Sequence, residues 1–110
     1  MSDANVQYVS VFTFAVKPDD FAELSRKVAA LLQGKGAAIS GLVESIVLGN
    51  ESKTQMVIVS QWRTRDSWSA AQWDEDVARS LADIVEGALS FEVQSFEPVA
   101  VVRPATPSKS

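Results

Sequence analysis

Residues 6–16, VQYVSVFTFAV, are mostly β-branched or aromatic and predict a strand. Alternation places Tyr8, Ser10, Phe12, Phe14 and Val16 on one face and Val9, Val11, Thr13 and Ala15 on the other. Both faces are largely apolar, so both call for cover. The period then lengthens. In KPDDFAELSRKVAALLQGKG, Phe21, Leu24, Val28, Leu31 and Leu32 recur at helical spacing. Pro18 and the acids Asp19, Asp20 and Glu23 suit the start of that helix, where backbone N–H groups are unpaired, and Gly34 and Gly36 suit its end.

SGLVESIVLGNESKTQMVIVSQW reads as two strands, about 42–48 and 54–62, with Gly49-Asn50 in the turn. Met56, Ile58, Ser60 and Trp62 share one face of the second strand, and Val57, Val59 and Gln61 the other. From Thr64, a candidate cap, the pattern predicts a short helix, RDSWSAAQW. Asp74 is the candidate cap of a second helix that turns Val77, Leu81, Ile84 and Ala88 inward and stops near Gly87. SFEVQSFEPVAVV is a last strand, interrupted or held at an edge by Pro98.

The order β-α-β-β-α-β, with its second helix broken in two, predicts an α+β, ferredoxin-like domain: helices on one face of a four-stranded antiparallel sheet. It spans 6–102, after a short extension at 1–5 and before a polar tail at 103–110, expected to be disordered. The other sheet face also reads as apolar, through Val9, Val11, Val43, Val47, Val57 and Val59. Its simplest cover is the same face of a second copy, a two-fold homodimer.

Composition narrows the chemistry. The 110 residues suit one domain. The net charge is −4 and the ten Lys and Arg are scattered, which argues against nucleic-acid binding. With no cysteine, thiolate chemistry and Cys-based zinc sites are excluded. With no histidine, Ser-His-Asp arrangements and a proximal haem ligand are excluded as well. No apolar run approaches membrane-spanning length and MSDANVQY does not read as a signal peptide, so the expected setting is cytoplasmic. The run DED at 74–76 is better explained by a helix dipole than by a metal, and Glu44 and Glu97 read as solvated strand acids.

All three tryptophans, Trp62, Trp68 and Trp73, fall within twelve residues. They fit a pocket wall for a flat ligand or ordinary core equally well. An indole has an apolar body and an N–H that needs a partner, so it often lines pockets. Phe12 and Phe14 belong to the same region and read more readily as core.

The strand QMVIVSQW, the segment RTRDSWSAAQW and the final helix and strand together resemble the antibiotic biosynthesis monooxygenase (ABM) superfamily across residues 6–102. The most telling element is a strand ending in Gln61-Trp62 with an aromatic, Trp68, six residues on. The resemblance implies a dimeric α+β barrel. It further implies oxygenation of a small hydroxyaromatic or quinol-like substrate by O₂, without metal, flavin or haem.

In the aromatic oxygenases of that superfamily a polar Asn precedes the Trp by four residues, where this chain has Ile58. The family Trp matches Trp62, and a family Tyr matches Trp68, without its hydroxyl. A family Arg falls near Ala82, with Arg79 one helical turn earlier as a substitute. Haem-degrading members use a His on the last helix, and this chain has none.

The candidate catalytic residues are therefore Trp62 and Trp68. The candidate substrate-binding residues are Phe12, Phe14, Ile58, Ser60, Trp73 and Arg79. Trp73, before Asp74, reads also as packing for the helix junction, and Arg79 also as a solvated surface arginine. Trp62 Nε1–H and Ser60 are candidate hydrogen-bond donors to a ring oxygen. Three functions stay open: a cofactor-independent monooxygenase, a non-catalytic dimeric module that binds a hydrophobic metabolite, and a haem-handling protein, against which the missing His and Cys argue.

Overall fold

The computed structural model describes residues 6–72, 74–100 and 102. The chain runs β1 (Tyr8–Ala15), α1 (Pro18–Gly34), a 3₁₀ turn (Gly36–Ala38), β2 (Leu42–Gly49), β3 (Gln55–Trp62), α2 (Arg65–Gln72), α3 (Glu75–Glu86) and β4 (Ser90–Phe96). The strands form one antiparallel sheet in the order β2-β3-β1-β4. This is the α+β, ferredoxin-like arrangement. The predicted tail at 103–110, the extension at 1–5 and Trp73 lie outside the described residues. No described helix is long and apolar enough to cross a membrane.

The elements form for the reasons their sequences suggest. Pro18 occupies the first turn of α1, where its missing N–H costs nothing, and Asp19 and Asp20 sit at the positive end of the helix dipole. α1 buries Leu24 and Val28 completely or nearly so, with Phe21, Leu31 and Leu32 packed beside them. Thr64 caps α2, its Oγ1 accepting the Ser67 N–H at 3.0 Å. Asp74 caps α3, its Oδ1 accepting the Val77 N–H at 3.0 Å. The acids at 74–76 thus serve the start of a helix. Asp76 also pairs with Lys35 and Arg79 at its surface. β4 ends at Phe96, two residues before Pro98, and lies at the edge of the sheet.

One expectation about the sheet is corrected. Val47 does not lie on the open face: it pairs with Ile58 and packs against the helix-covered core. The cause is a bulge between Leu42 and Glu44, which consumes one extra residue of β2 opposite Gln61. Side chains alternate with a period of two, so one extra residue reverses every face beyond it. Ser45 and Val47 consequently turn inward, while Ile46 and Leu48 turn out and are exposed. The open face then carries Val9, Val11, Val57, Val59, Ile46, Leu48 and Phe96.

Between sheet and helices the interior has two parts. Phe14, Val16, Met56, Ile58, Leu24, Val28 and Ile84 form one cluster. Trp62, Trp68 and Ala71 form a second, with Tyr8, Phe12, Ile39 and Leu42 against it. The first is solid. Ile58 of the first cluster and Trp62, Trp68 and Ala71 of the second border a common cavity.

Candidate functional site

The cross-strand register lays the inner face of the sheet out in rows. Leu42, Trp62 and Tyr8 form one row, and Ser45, Ser60, Ser10 and Ser95 the next. Val47, Ile58, Phe12 and Val93 follow, then Gly49, Met56, Phe14 and Phe91. Directly opposed residues share a face, so a band of small serines crosses a floor that is otherwise aromatic or aliphatic. Between this floor and the helices there is a gap. A cavity of about 540 Å³ opens there, lined from below by Ser10, Phe12, Ile58, Ser60 and Trp62 and from above by Trp68, Leu81 and Val85. Cavities of this order hold small organic ligands of two or three rings.

Trp62 closes one end and is 4% exposed; Trp68 is 8% exposed. Their rings lie 5.5 Å apart at 52°. Phe12 meets Trp68 edge to face at 5.8 Å and 83°, a favoured aromatic geometry. The local fold that presents Trp68 rests on Gly41. Its φ of +83° is in the left-handed region, and a side chain there would run into Ser67 on α2. The Arg63 N–H to Gly41 carbonyl bond, 2.8 Å, ties the end of β3 to the same loop. At the other end Phe91 and Val93 of edge strand β4 line the cavity but stay 42% and 39% exposed, forming its mouth.

The polar groups are few. Trp62 Nε1–H donates to Ser10 Oγ at 3.0 Å, so this donor is already engaged. Ser45 and Ser60 hydroxyls bond each other at 2.8 Å. Trp68 Nε1 has no acceptor among the described residues. Gln72 adds a carboxamide to the lining. Among the described residues of the lining none is titratable. The described residues contain no group of three or more His, Cys, Asp or Glu placed to hold a metal ion.

Of the candidates read from the sequence, Phe12, Ile58, Ser60, Trp62 and Trp68 come together around the cavity. Phe14 lies in the solid cluster instead, fully buried and 6.3 Å from the Phe12 ring. Arg79 points away: its side chain is 73% exposed and pairs with Asp76 at 3.4 Å. Helical geometry explains why. Val77, Ala78, Leu81, Ala82 and Val85 make the lining stripe of α3, and at 3.6 residues per turn Arg79 falls about 130° round from its centre. Ala82, by contrast, is part of the lining. Ser10, Ser45 and Phe91 were not among the sequence candidates. Strand alternation alone puts Ser10 on the Phe12 face, but its pairing with Trp62 depends on register between distant strands.

A family model described as "Antibiotic biosynthesis monooxygenase" matches residues 7–82. No curated protein matches the chain. Among solved structures, the chain is similar to a monooxygenase from the gene ActVA-Orf6 of Streptomyces coelicolor, in complex with nanaomycin D. The TM-score is 0.81 at 18% identity, over 94% of this chain and 96% of that one. It is also similar to the NE2512 protein of Nitrosomonas europaea, of unknown function (TM-score 0.75, 18% identity, 94% and 100% covered). A third is Rv0793 of Mycobacterium tuberculosis (TM-score 0.75, 14% identity, 87% and 98% covered). At these identities the likeness is one of fold.

Proposed function

The chain belongs to the antibiotic biosynthesis monooxygenase family, and from that premise we propose that it is a cofactor-independent monooxygenase acting on a small hydroxyaromatic or quinol-like compound in the Trp62–Trp68 cavity. The observation that carries this reading is an apolar cavity of about 540 Å³ with aromatic walls and a narrow polar band, positioned where a flat ring fits. The Streptomyces coelicolor monooxygenase of similar fold is in complex with nanaomycin D, which supports a small-molecule ligand.

The chemistry must suit a lining without a titratable group. No described side chain there takes a proton, which fits a substrate acidic enough to ionise on its own. Its anion passes one electron to O₂, and the two radicals combine at carbon to give a hydroperoxide. Loss of water leaves one oxygen atom as a carbonyl and the other in water. The protein's part is to hold the ring between Trp62, Trp68 and Phe12, to exclude water, and to donate hydrogen bonds to the oxygen on which charge develops.

The homodimer through the open sheet face is part of the proposal, supported by the apolar residues Val9, Val11, Val57, Val59, Ile46, Leu48 and Phe96 there. So is a cytoplasmic setting.

A second reading, a non-catalytic binding module for a hydrophobic metabolite, is favoured by the same lack of a base and by Ile58 in place of a polar residue. Oxygen uptake by the purified protein with dihydroxynaphthalenes and anthrones, without added metal or flavin, separates the two. Uptake lost in Trp62→Ala supports the monooxygenase. Binding of these compounds without uptake supports the module.

A further inference from the structure

Besides its two indoles, the described lining of the cavity carries three polar side chains: Ser10, Ser60 and Gln72. The serines are committed to the sheet. Ser10 is inaccessible and accepts the Trp62 N–H, and Ser60 is 6% exposed and bonded to Ser45. Gln72 differs on both counts. It is exposed, which places it at a rim of the cavity, and its carboxamide has no hydrogen-bond partner among the described residues.

Helix geometry brings this group to the ligand space. Trp68, Ala71 and Gln72 stand at i, i+3 and i+4 of α2, so they share one face, and all three line the cavity. The Cα–Cβ bond of a helical residue tilts toward the N-terminus, so Gln72 leans toward the Trp68 end of α2. Beyond it the roof is apolar: Val77, Ala78, Leu81, Ala82 and Val85 of α3. The accessible polarity of the roof is thus concentrated at one end, near the α2–α3 junction.

A carboxamide offers two N–H donors and a carbonyl acceptor. Exposed, it is hydrated, and a ring that reaches this rim displaces that water. A ligand oxygen restores the lost hydrogen bonds, whereas a bare hydrocarbon edge leaves them unmade, which costs affinity. The difference favours rings that carry oxygen at this end.

We propose that Gln72 is a specificity-determining residue of the cavity: its carboxamide hydrogen-bonds a hydroxyl or carbonyl oxygen on the end of the bound ring nearest the α2–α3 junction. This rests on the cavity being the ligand site, and the test separates the two claims. The probes are 1-naphthol, whose hydroxyl donates and accepts, 1,4-naphthoquinone, whose oxygens only accept, and naphthalene, which has no oxygen. Affinities are measured by calorimetry on the full chain, and each is expressed relative to naphthalene so that general effects on the cavity cancel. Ala78→Phe, which sets a ring into the cavity, reports whether the probes bind there.

Gln72→Leu should lower the relative affinity of both oxygenated probes about three- to tenfold, the span of one neutral hydrogen bond. Gln72→Glu should split them. A carboxylate accepts but cannot donate, so naphthol keeps its relative affinity while the quinone loses at least as much as in Gln72→Leu. A glutamine that is merely solvated produces no such split. Both variants replace an exposed side chain, and far-UV circular dichroism should show wild-type secondary structure.

If the probes bind, are blocked by Ala78→Phe, and keep their relative affinities in Gln72→Leu, the proposal falls while the cavity reading stands. Equal relative losses of both oxygenated probes in Gln72→Glu overturn it as well, since bulk or charge would then be the cause. If the probes do not bind, or bind undiminished in Ala78→Phe, both claims fall.

Discussion

Trp62 and Ser10, 52 residues apart in the chain, are joined by a buried 3.0 Å hydrogen bond from the indole Nε1–H to the serine hydroxyl. The bond spans the central β1–β3 pair, two residues along from the directly opposed partners Tyr8–Trp62 and Ser10–Ser60. It fixes the plane of the indole that closes the cavity. Trp62→Phe removes the donor and keeps an aromatic ring. The expected loss is about 1–3 kcal/mol, from the hydrogen bond and the unfilled volume together. Urea denaturation followed by far-UV circular dichroism measures it. An unchanged midpoint would show that the bond adds nothing to stability.

Gly41 is a second point of dependence. Its φ of +83° and the Ser67 side chain against it leave no room for a Cβ. Gly41→Ala should destabilise the chain by about 1–3 kcal/mol, through backbone strain and displacement of α2. Because α2 carries Trp68, the tryptophan emission spectrum should shift as well, whereas Gly34→Ala, with open space at its Cβ, should leave both stability and emission nearly as they are.

Particular residues show how far a sequence alone reaches here. Alternation along β1 assigned Phe12 and Phe14 to the helix side because nothing interrupts that strand's register. The same rule failed at Val47, because a bulge is an event between strands and leaves no mark in β2 itself. The caps Thr64 and Asp74 were legible because capping is local. The aromatic cluster was legible as a cluster. That it borders empty space was not, since the gap depends on where α3 stands above the sheet. Arg79 and Ala82 are three positions apart, and helix phase decides which faces the ligand space. The serine row needed three pairings at once, and no single strand contains it.

The gap can be filled from the helix side. Ala78 lies on α3, exposed yet part of the cavity lining. Ala78→Phe sets a ring into the space without removing any core contact. Ligand affinity should fall at least about tenfold, the equivalent of 1.4 kcal/mol. The thermal midpoint should stay within a few degrees of wild type, or rise if the ring buries well. Quenching of Trp62 and Trp68 by 1,4-naphthoquinone reads the first and calorimetry the second. Unimpaired quenching at wild-type concentrations would place the ligand elsewhere.

The open sheet face provides the last test. Val11 and Val59 are directly opposed at its centre, half-buried, with Val9, Val57, Ile46 and Leu48 around them. A contiguous apolar face on a stable chain needs a partner, and an identical face offers one of matching shape and chemistry. A single carboxylate at the centre of such an interface would meet its own symmetry mate, so charge repulsion adds to the desolvation cost. Val59→Glu is therefore expected to convert a dimer into a monomer at micromolar concentration. Light scattering coupled to size exclusion gives the mass directly, and far-UV circular dichroism should show the same secondary structure in both. Wild type eluting as a monomer at these concentrations would refute the proposed assembly. A dimer that survives Val59→Glu would place the contact on another surface, with the exposed edge strand β4, carrying Phe91, Val93 and Phe96, as the next to alter.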